Sequence, residues 1–284
     1  MPPKGGIVFC ILRKNIVINR KLILANAPSN MGEQTHINHV GCTSGEDKKK
    51  RLYIKRTDKG IVAYCHHCNE SGFAFDVDGR VGTWLQDKKP VDPRSTLIPV
   101  LSALSIEGRM WLAKYYCAPD IYFNGVRNES KKIALTLLSI EGDTIGVQVR
   151  NLVSNAVPKY ITSYCNDKHK GEASWFYTNN KILVITEDYL SAYKIHQDAG
   201  VSSVALLRTS LSDTTLRQIY ELEFEHIIIW LDPDQAGIEG ARKVEKKLDH
   251  YLPTTTLVSC WYKDREPKQH TKEELRGLFD PSSL

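Results

Sequence analysis

The chain has 284 residues, 42% of them apolar, with 38 lysines and arginines against 33 acids, nine histidines and a formal net charge of +5. That length suits two or three domains, and the composition excludes a disordered, collagenous or disulfide-scaffold protein. The modest basic excess leans toward a polyanionic partner without requiring one.

Residues 1–30 hold two apolar runs, Gly6 to Leu12 and Leu22 to Ala25, broken by Arg13, Lys14, Arg20 and Lys21. Neither is long enough for a spanning helix, and no small-residue cleavage site follows a proper hydrophobic region. A cytoplasmic protein with no membrane partner is expected, in the host cytoplasm if the protein is of phage origin. Seven cysteines in a chain without a secretory signal point to thiols or a metal site.

His39-Val40-Gly41-Cys42 and Cys65-His66-His67-Cys68 give an H-x₂-C and a C-x₂-C pair. Between them Arg51 to Arg56 and Ile61 to Tyr64 read as a hairpin turned at Thr57-Asp58-Lys59-Gly60. Two knuckles around a hairpin make a zinc ribbon with one structural zinc, held by Cys42, Cys65, Cys68 and a histidine. Spacing favours His39 for the fourth ligand and leaves His36 as its rival, with His66 and His67 flanking or facing solvent. Lys48-Lys49-Lys50-Arg51 and Lys55-Arg56 alternate with Tyr53 and Tyr64. Cations that track phosphates and rings that stack on bases suit single-stranded nucleic acid, while the bland alternative is a solvated loop.

Residues 73–95 are polar and carry two prolines, the composition of a linker. Ser105 to Tyr116 reads as a helix capped by Ser105, and Ile133 to Ile140 with Thr144 to Leu152 as a hairpin. From Lys181 the pattern alternates. Lys181 to Thr186 is a strand, Tyr189 to Gln197 a helix stopped at Gly200, and Val201 to Leu207 a strand. Asp213 to Glu221 is a helix, His226 to Leu231 a strand, Gln235 to Asp249 a helix and Thr254 to Trp261 a strand. Strands alternating with helices imply a parallel sheet, with ligands at the carboxyl ends of its strands. Glu187, Asp232 and Asp234 fall there. Two aspartates flanking Pro233 repel one another, and a hard divalent cation such as Mg²⁺ relieves that; the alternative is an acidic turn capping the next helix.

A glutamate after one strand and Asp232-Pro233-Asp234-Gln235-Ala236-Gly237 after a later one, in a compact βαβαβαβ unit, resemble a Toprim domain over about residues 180–275, with Ala205 to Ser210 matching the turn after the second strand. Gly146-Val147-Gln148-Val149-Arg150 followed by Pro158-Lys159-Tyr160 resembles the segment before Toprim in primases of bacteria and phages. Ribbon, basic unit and Toprim in that order are similar to those primases, closest in layout to the primase part of tailed-phage primase-helicases. The resemblance implies an α/β fold: an N-terminal segment and zinc ribbon (1–72), the linker, a mixed α/β basic unit (96–179) and a Toprim catalytic domain (180–284). It implies Glu187 as acid/base or metal residue, Asp232 and Asp234 as ligands of Mg²⁺ or Mn²⁺, with two ions at the centre, and Asp264 as a third acid, with Glu266 competing. It implies that Arg150, Lys159 and Arg208 contact template or nucleotide, with Lys168 and Lys170 as weaker candidates. The implied activity is a DNA primase, a nucleotidyltransferase with DNA-directed RNA polymerase activity. It would make RNA primers on a single-stranded DNA template from ribonucleoside triphosphates. Because no G-x-x-x-x-G-K-[ST] occurs, a separate replicative helicase is the expected partner, with a replication polymerase as another. A Toprim nuclease and a catalytically inactive zinc-ribbon accessory protein remain as alternatives.

Overall fold

The structure, a computed structural model, describes residues 9–11, 18–75, 98–252, 255–260 and 265–279. It comprises two compact units, one of residues 11–89 and 245–257, the other of residues 1–10, 90–244 and 258–284. The first described strand is β1 (Phe9–Ile11).

In the ribbon unit, α1 (Arg20–Ala25) is capped by Asn19, whose side chain accepts from the Lys21 N–H at 2.8 Å. β2 (Gln34–Ile37), β3 (Leu52–Thr57), β4 (Gly60–Cys65) and β5 (Ser71–Ala74) form an antiparallel sheet in that order. The predicted hairpin is present, with Thr57 paired to Gly60. Gly60 has φ +135°, and a Cβ there would come within 2.6 Å of the Phe73 ring, so only glycine fits. Ile18, Ile23, Leu52, Ile54, Ile61, Ala63 and Ala74 build the core. The sequence puts the start of the linker at residue 73, but β5 runs through Ala74, and Phe73 and Phe75 are buried edge to face at 4.9 Å. The polarity of Asp78 to Arg94 masks that apolar trio; residues 76–97 lie outside the described residues.

In the other unit, β6 (Leu101–Ser102) and α2 (Ile106–Ala113) come next along the chain. Ser105 caps α2 as predicted, accepting from the Gly108 N–H at 3.0 Å. The helix stops short of Tyr116, which takes a left-handed φ of 57°. β7 (Phe123–Val126), β8 (Glu129–Leu138), β9 (Thr144–Asn151) and β10 (Tyr160–Tyr164) complete an antiparallel sheet ordered β10-β9-β8-β7-β6.

β11 (Ser174–Phe176), β12 (Ile182–Thr186), α3 (Tyr189–Ala199), β13 (Ser202–Ala205), α4 (Asp213–Leu222), β14 (His226–Trp230), α5 (Gln235–Tyr251), β15 (Thr256–Cys260) and α6 (Lys272–Leu278) follow. The six-stranded sheet is ordered β1-β15-β14-β12-β13-β11. β12 is central and runs parallel to both β13 and β14, as the alternating pattern predicts. Gly200, at φ 71°, ends α3 where expected.

Packing is continuous across residue 179. β11 pairs antiparallel with β13, Tyr189 Oη donates to the Thr136 carbonyl at 2.8 Å, and the Leu138 N–H donates to Ser174 Oγ at 3.1 Å. Phe123, Ile133, Leu135, Phe176, Tyr189 and Tyr193 share one core. The basic sheet is thereby fixed against the sheet that carries the acids.

Candidate active site and metal centre

β12 and β14 are long enough only to cross the core, and their parallel register sets Thr186 beside Trp230. The residues that follow, Glu187-Asp188 and Leu231-Asp232-Pro233-Asp234, therefore emerge together at one sheet edge. Asp188, Asp232 and Glu266 offer oxygens that all lie within 4.8 Å of one another. The 3₁₀ turn Pro267–Gln269 carries Glu266 as its cap residue and Lys268 within it.

Each acid is held differently. Asp188 caps α3: Oδ1 accepts from the N–H groups of Leu190 and Ser191 at 3.0 and 3.2 Å, and Ser191 Oγ donates to Oδ2 at 2.5 Å. Asp234 Oδ1 accepts from the Gly237 N–H at 2.8 Å, so the capping reading of this acidic turn is also true. A Cβ on Gly237 would overlap the Asp232 carbonyl oxygen, which explains the glycine three positions after Asp234. Glu187 Oε2 is buried without a hydrogen-bond partner among the described residues. Burial, then Asp234 and Asp188, raise the Glu187 pKa. Burial pushes Asp232 up to about 7, reinforced by Asp188 and Glu266 and opposed by Lys268. Burial opposes the charge on Lys268, but Asp188 and Glu266 outweigh it and hold that pKa above the usual lysine value. Crowded carboxylates and an orphaned buried oxygen are a donor set that fits a hard divalent cation.

Of the residues expected from sequence, Glu187, Asp232 and Asp234 meet at this edge, while Asp264 lies outside the described residues. Its rival Glu266 joins the cluster, as does Asp188, which sequence reasoning passed over. The signal was there in a second acid directly after Glu187, but the same side chain reads equally as a helix cap.

Arg150 and Tyr160 are direct partners across β9 and β10. The guanidinium carbon lies 4.8 Å from the Trp111 ring centre and 4.9 Å from that of Tyr160, and Arg150 Nη1 donates to Tyr160 Oη. Arg150 Nε and Trp111 Nε1 are buried without partners among the described residues. Tyr160, whose pKa burial raises, is within electrostatic reach of Asp188 and Lys268, which ties this clamp to the acids. Gly146 lets the Ser163 carbonyl approach where a Cβ would stand. Lys159, Lys168 and Lys170 are exposed. Arg208 donates through Nη2 to the Gly171 carbonyl at 2.8 Å and so fastens a loop.

In the ribbon, His39, Cys42, Cys65 and Cys68 offer ligand atoms all within 4.8 Å of one another. His39 Nδ1 is 3.4 Å from Cys68 Sγ. His39 is 5% exposed, whereas the exposed His36 packs on Tyr53 with ring centres 4.2 Å apart, so the four-donor group takes His39. His67 Nδ1 also approaches Cys42 Sγ, at 3.4 Å. Burial, with Cys65 and Cys42 nearby, pushes the Cys68 thiol up to about 12. One imidazole and three thiols in such proximity fit zinc, whose binding displaces the thiol protons. Glu70, 4.0 Å from His39 Nε2, accepts from Thr43 Oγ1 at 2.5 Å and is placed to orient the imidazole. Buried Asp47 accepts from the N–H groups of His39, Lys49 and Arg51 and from Arg51 Nε, pinning the loop. Arg51 is thus spent on structure, and Arg56 donates to the Pro28 carbonyl. His36, Tyr53 and Tyr64 are successive cross-strand partners, and His66 lies edge-on to both tyrosines.

Residues 181–258 match the Toprim domain family. The chain's curated relatives are DNA primases. That of Rickettsia typhi is 31% identical over 122 residues, a stretch covering 39% of this chain and 20% of that protein. The likeness therefore spans about a fifth of the relative's length. Among solved structures, a DnaG primase catalytic domain bound to ssDNA has a TM-score of 0.45 at 20% identity, covering 64% of this chain and 61% of that one. The primase fragment of the bacteriophage T7 primase-helicase protein has a TM-score of 0.43 at 15% identity, with 83% and 92% covered. Among the described residues no helix is long and apolar enough to cross a membrane.

Proposed function

We propose that the chain is a DNA primase, a nucleotidyltransferase that makes short RNA primers on single-stranded DNA from ribonucleoside triphosphates. The observation that carries this reading is the three-carboxylate cluster, two of whose members, Asp188 and Asp232, lie in the stretch that matches the Toprim family.

Joining two ribonucleotides requires a 3′-oxygen to attack an α-phosphorus while pyrophosphate leaves. Two Mg²⁺ or Mn²⁺ ions, when bound, neutralise charge on the phosphates and sharpen the attacking oxygen. Asp188, Asp232 and Glu266 are the residues to hold one, with Asp234 and Asp264 in support. Glu187, with its partnerless buried oxygen, either holds a second ion or takes the proton of the attacking hydroxyl. Arg150, held against the Trp111 and Tyr160 rings, supplies positive charge toward the phosphates. Lys159 and Arg208 guide template or nucleotide. The ribbon, with zinc held by His39, Cys42, Cys65 and Cys68, stacks template bases on the His36–Tyr53–Tyr64 row and tracks phosphates with Lys49, Lys50 and Lys55. A separate replicative helicase and a replication polymerase are the partners this role calls for.

The test is to incubate the protein with Mg²⁺, labelled ribonucleotides and a long single-stranded DNA, beside Asp232→Ala. Short labelled oligoribonucleotides from the unmutated protein alone are expected. Fragmented DNA without them would make the chain a nuclease; DNA binding without any product would make it an accessory protein.

A further inference from the structure

Lys268 sits where a cation is wanted. Its Nζ is 3.2 Å from Asp188 Oδ2 and directly against Glu266 Oε2, and its side chain is only 11% exposed. These two acids belong to the three-carboxylate cluster whose oxygens lie within 4.8 Å of one another. The lysine does not swing freely into place. It is carried by the 3₁₀ turn Pro267–Gln269, closed by the Glu266 N–H donating to Gln269 Oε1 at 2.7 Å and the Gln269 N–H to the Glu266 carbonyl at 2.9 Å. Taking a lysine out of water is unfavourable unless partners offset it, and the partners here are two carboxylates that would otherwise repel. The Tyr115 ring centre, 5.9 Å from Nζ, adds a further favourable face.

We propose that Lys268 is a resident cation of the acid centre, competing with divalent metal for Asp188 and Glu266. The inference rests on the reading of the cluster as a metal site. An ion held by Asp188 and Glu266 draws on the same carboxylate charge that the ammonium neutralises, and two cations that close repel, so binding favours turning the lysine out. Two consequences follow. The metal-free centre is held together by its own ion pair and does not fly apart by repulsion. Metal alone binds weakly, and the centre fills when a nucleotide triphosphate brings its own phosphate ligands with the ion. Lys268 is in this sense a positioning residue, acting through the acids.

The experiment measures Mn²⁺ binding to the full chain by the free-ion electron paramagnetic resonance signal, without nucleotide, for the unmutated protein, Lys268→Met, Lys268→Arg and Asp232→Ala. Thermal midpoints in chelator and in Mn²⁺ are recorded alongside. Lys268→Met is expected to bind Mn²⁺ about tenfold tighter than the unmutated protein, to melt lower in chelator and to gain more from Mn²⁺. Lys268→Arg, which keeps the charge, is expected to bind no tighter than the unmutated protein. Should Lys268→Met not fold, Lys268→Gln takes its place with the same expectation. Equal or weaker Mn²⁺ binding by the neutral variant, with Asp232→Ala still abolishing it, would overturn the competition while leaving the metal site intact. Binding unaffected by Asp232→Ala would instead remove the metal site, and the proposal with it.

Discussion

Gly237 packs so tightly on Asp232 that a Cβ at position 237 would overlap the Asp232 carbonyl oxygen, while its N–H donates to Asp234 Oδ1 at 2.8 Å. One glycine therefore sets both aspartates, the first by letting the backbone close and the second by capping. Gly237→Ala should move Asp232 out of the cluster, destabilising the fold by about 1–3 kcal/mol and lowering primer synthesis at least tenfold. Gly277→Ala, in α6 with no described atom within 4 Å of the added methyl, is the matched control. It should raise stability by a few tenths to about 1 kcal/mol and leave synthesis unchanged. Urea unfolding and the primer assay on both variants check this.

Asp232 gives the metal-free protein a pH dependence with a definite sign. Its carboxyl, pushed up to about 7 by burial and by Asp188 and Glu266, stays protonated in the fold where the unfolded chain, near 4, has already ionised. The folded state then binds more protons, so stability falls as pH rises from about 4 to about 7 and levels off above. In chelator, Asp232→Asn should match the unmutated protein near pH 4 and melt higher at pH 8. Thermal midpoints of the two proteins across that range decide it; an unchanged difference would mean the carboxylate is not destabilised by its setting.

The strands that end in acid were legible because apolar runs bounded by carboxylates read alike in sequence and in the fold: Ile182–Thr186 and His226–Trp230 are β12 and β14, and Glu187, Asp232 and Asp234 follow them. Asp188 was not, because a carboxylate before Tyr189-Leu190-Ser191 is chemically a cap, and it is one. Its place in the acid cluster depends on Glu266, 78 residues away, and no local pattern reports that distance. Short strands were missed for a related reason. Gln34–Ile37 is polar and Ser174–Phe176 has three residues, and each is a strand only because a neighbour supplies the ladder. Nor could periodicity show that residues before and after 179 share a core, since Tyr189 and Tyr193 look from sequence like an ordinary buried helix face.

At the ribbon, the two candidate histidines separate cleanly. His39 is buried 3.4 Å from Cys68 Sγ, and His36 is exposed on Tyr53. Protein purified without an affinity tag should hold about one zinc per chain. His39→Ala should lose most of it and unfold the ribbon, whereas His36→Ala should keep the metal and weaken binding to single-stranded DNA by about 1–3 kcal/mol, the worth of one stacked base. Metal content by atomic emission and DNA binding by fluorescence anisotropy read the two effects separately. Zinc lost from His36→Ala and kept by His39→Ala would reverse the assignment.

Arg150 carries the last prediction, because its setting makes charge and shape separable. The guanidinium carbon lies 4.8 Å from the Trp111 ring centre and 4.9 Å from that of Tyr160, and its buried Nε has no hydrogen-bond partner among the described residues. A lysine keeps the charge but neither stacks flat nor presents a donor at the Nε position. If the arginine acts only as a diffuse positive charge, Arg150→Lys should synthesise primers nearly as well as the unmutated protein. If it acts as a planar donor to a phosphate, Arg150→Lys should lose about a hundredfold, close to Arg150→Ala, with most of the loss in kcat/KM for the nucleotide. The contacts with both rings, which a lysine would not reproduce, favour the second outcome. Exposed Lys159 offers the contrast: Lys159→Ala should cost less than tenfold and lose its effect as salt is raised, the behaviour of a charge that steers from solvent.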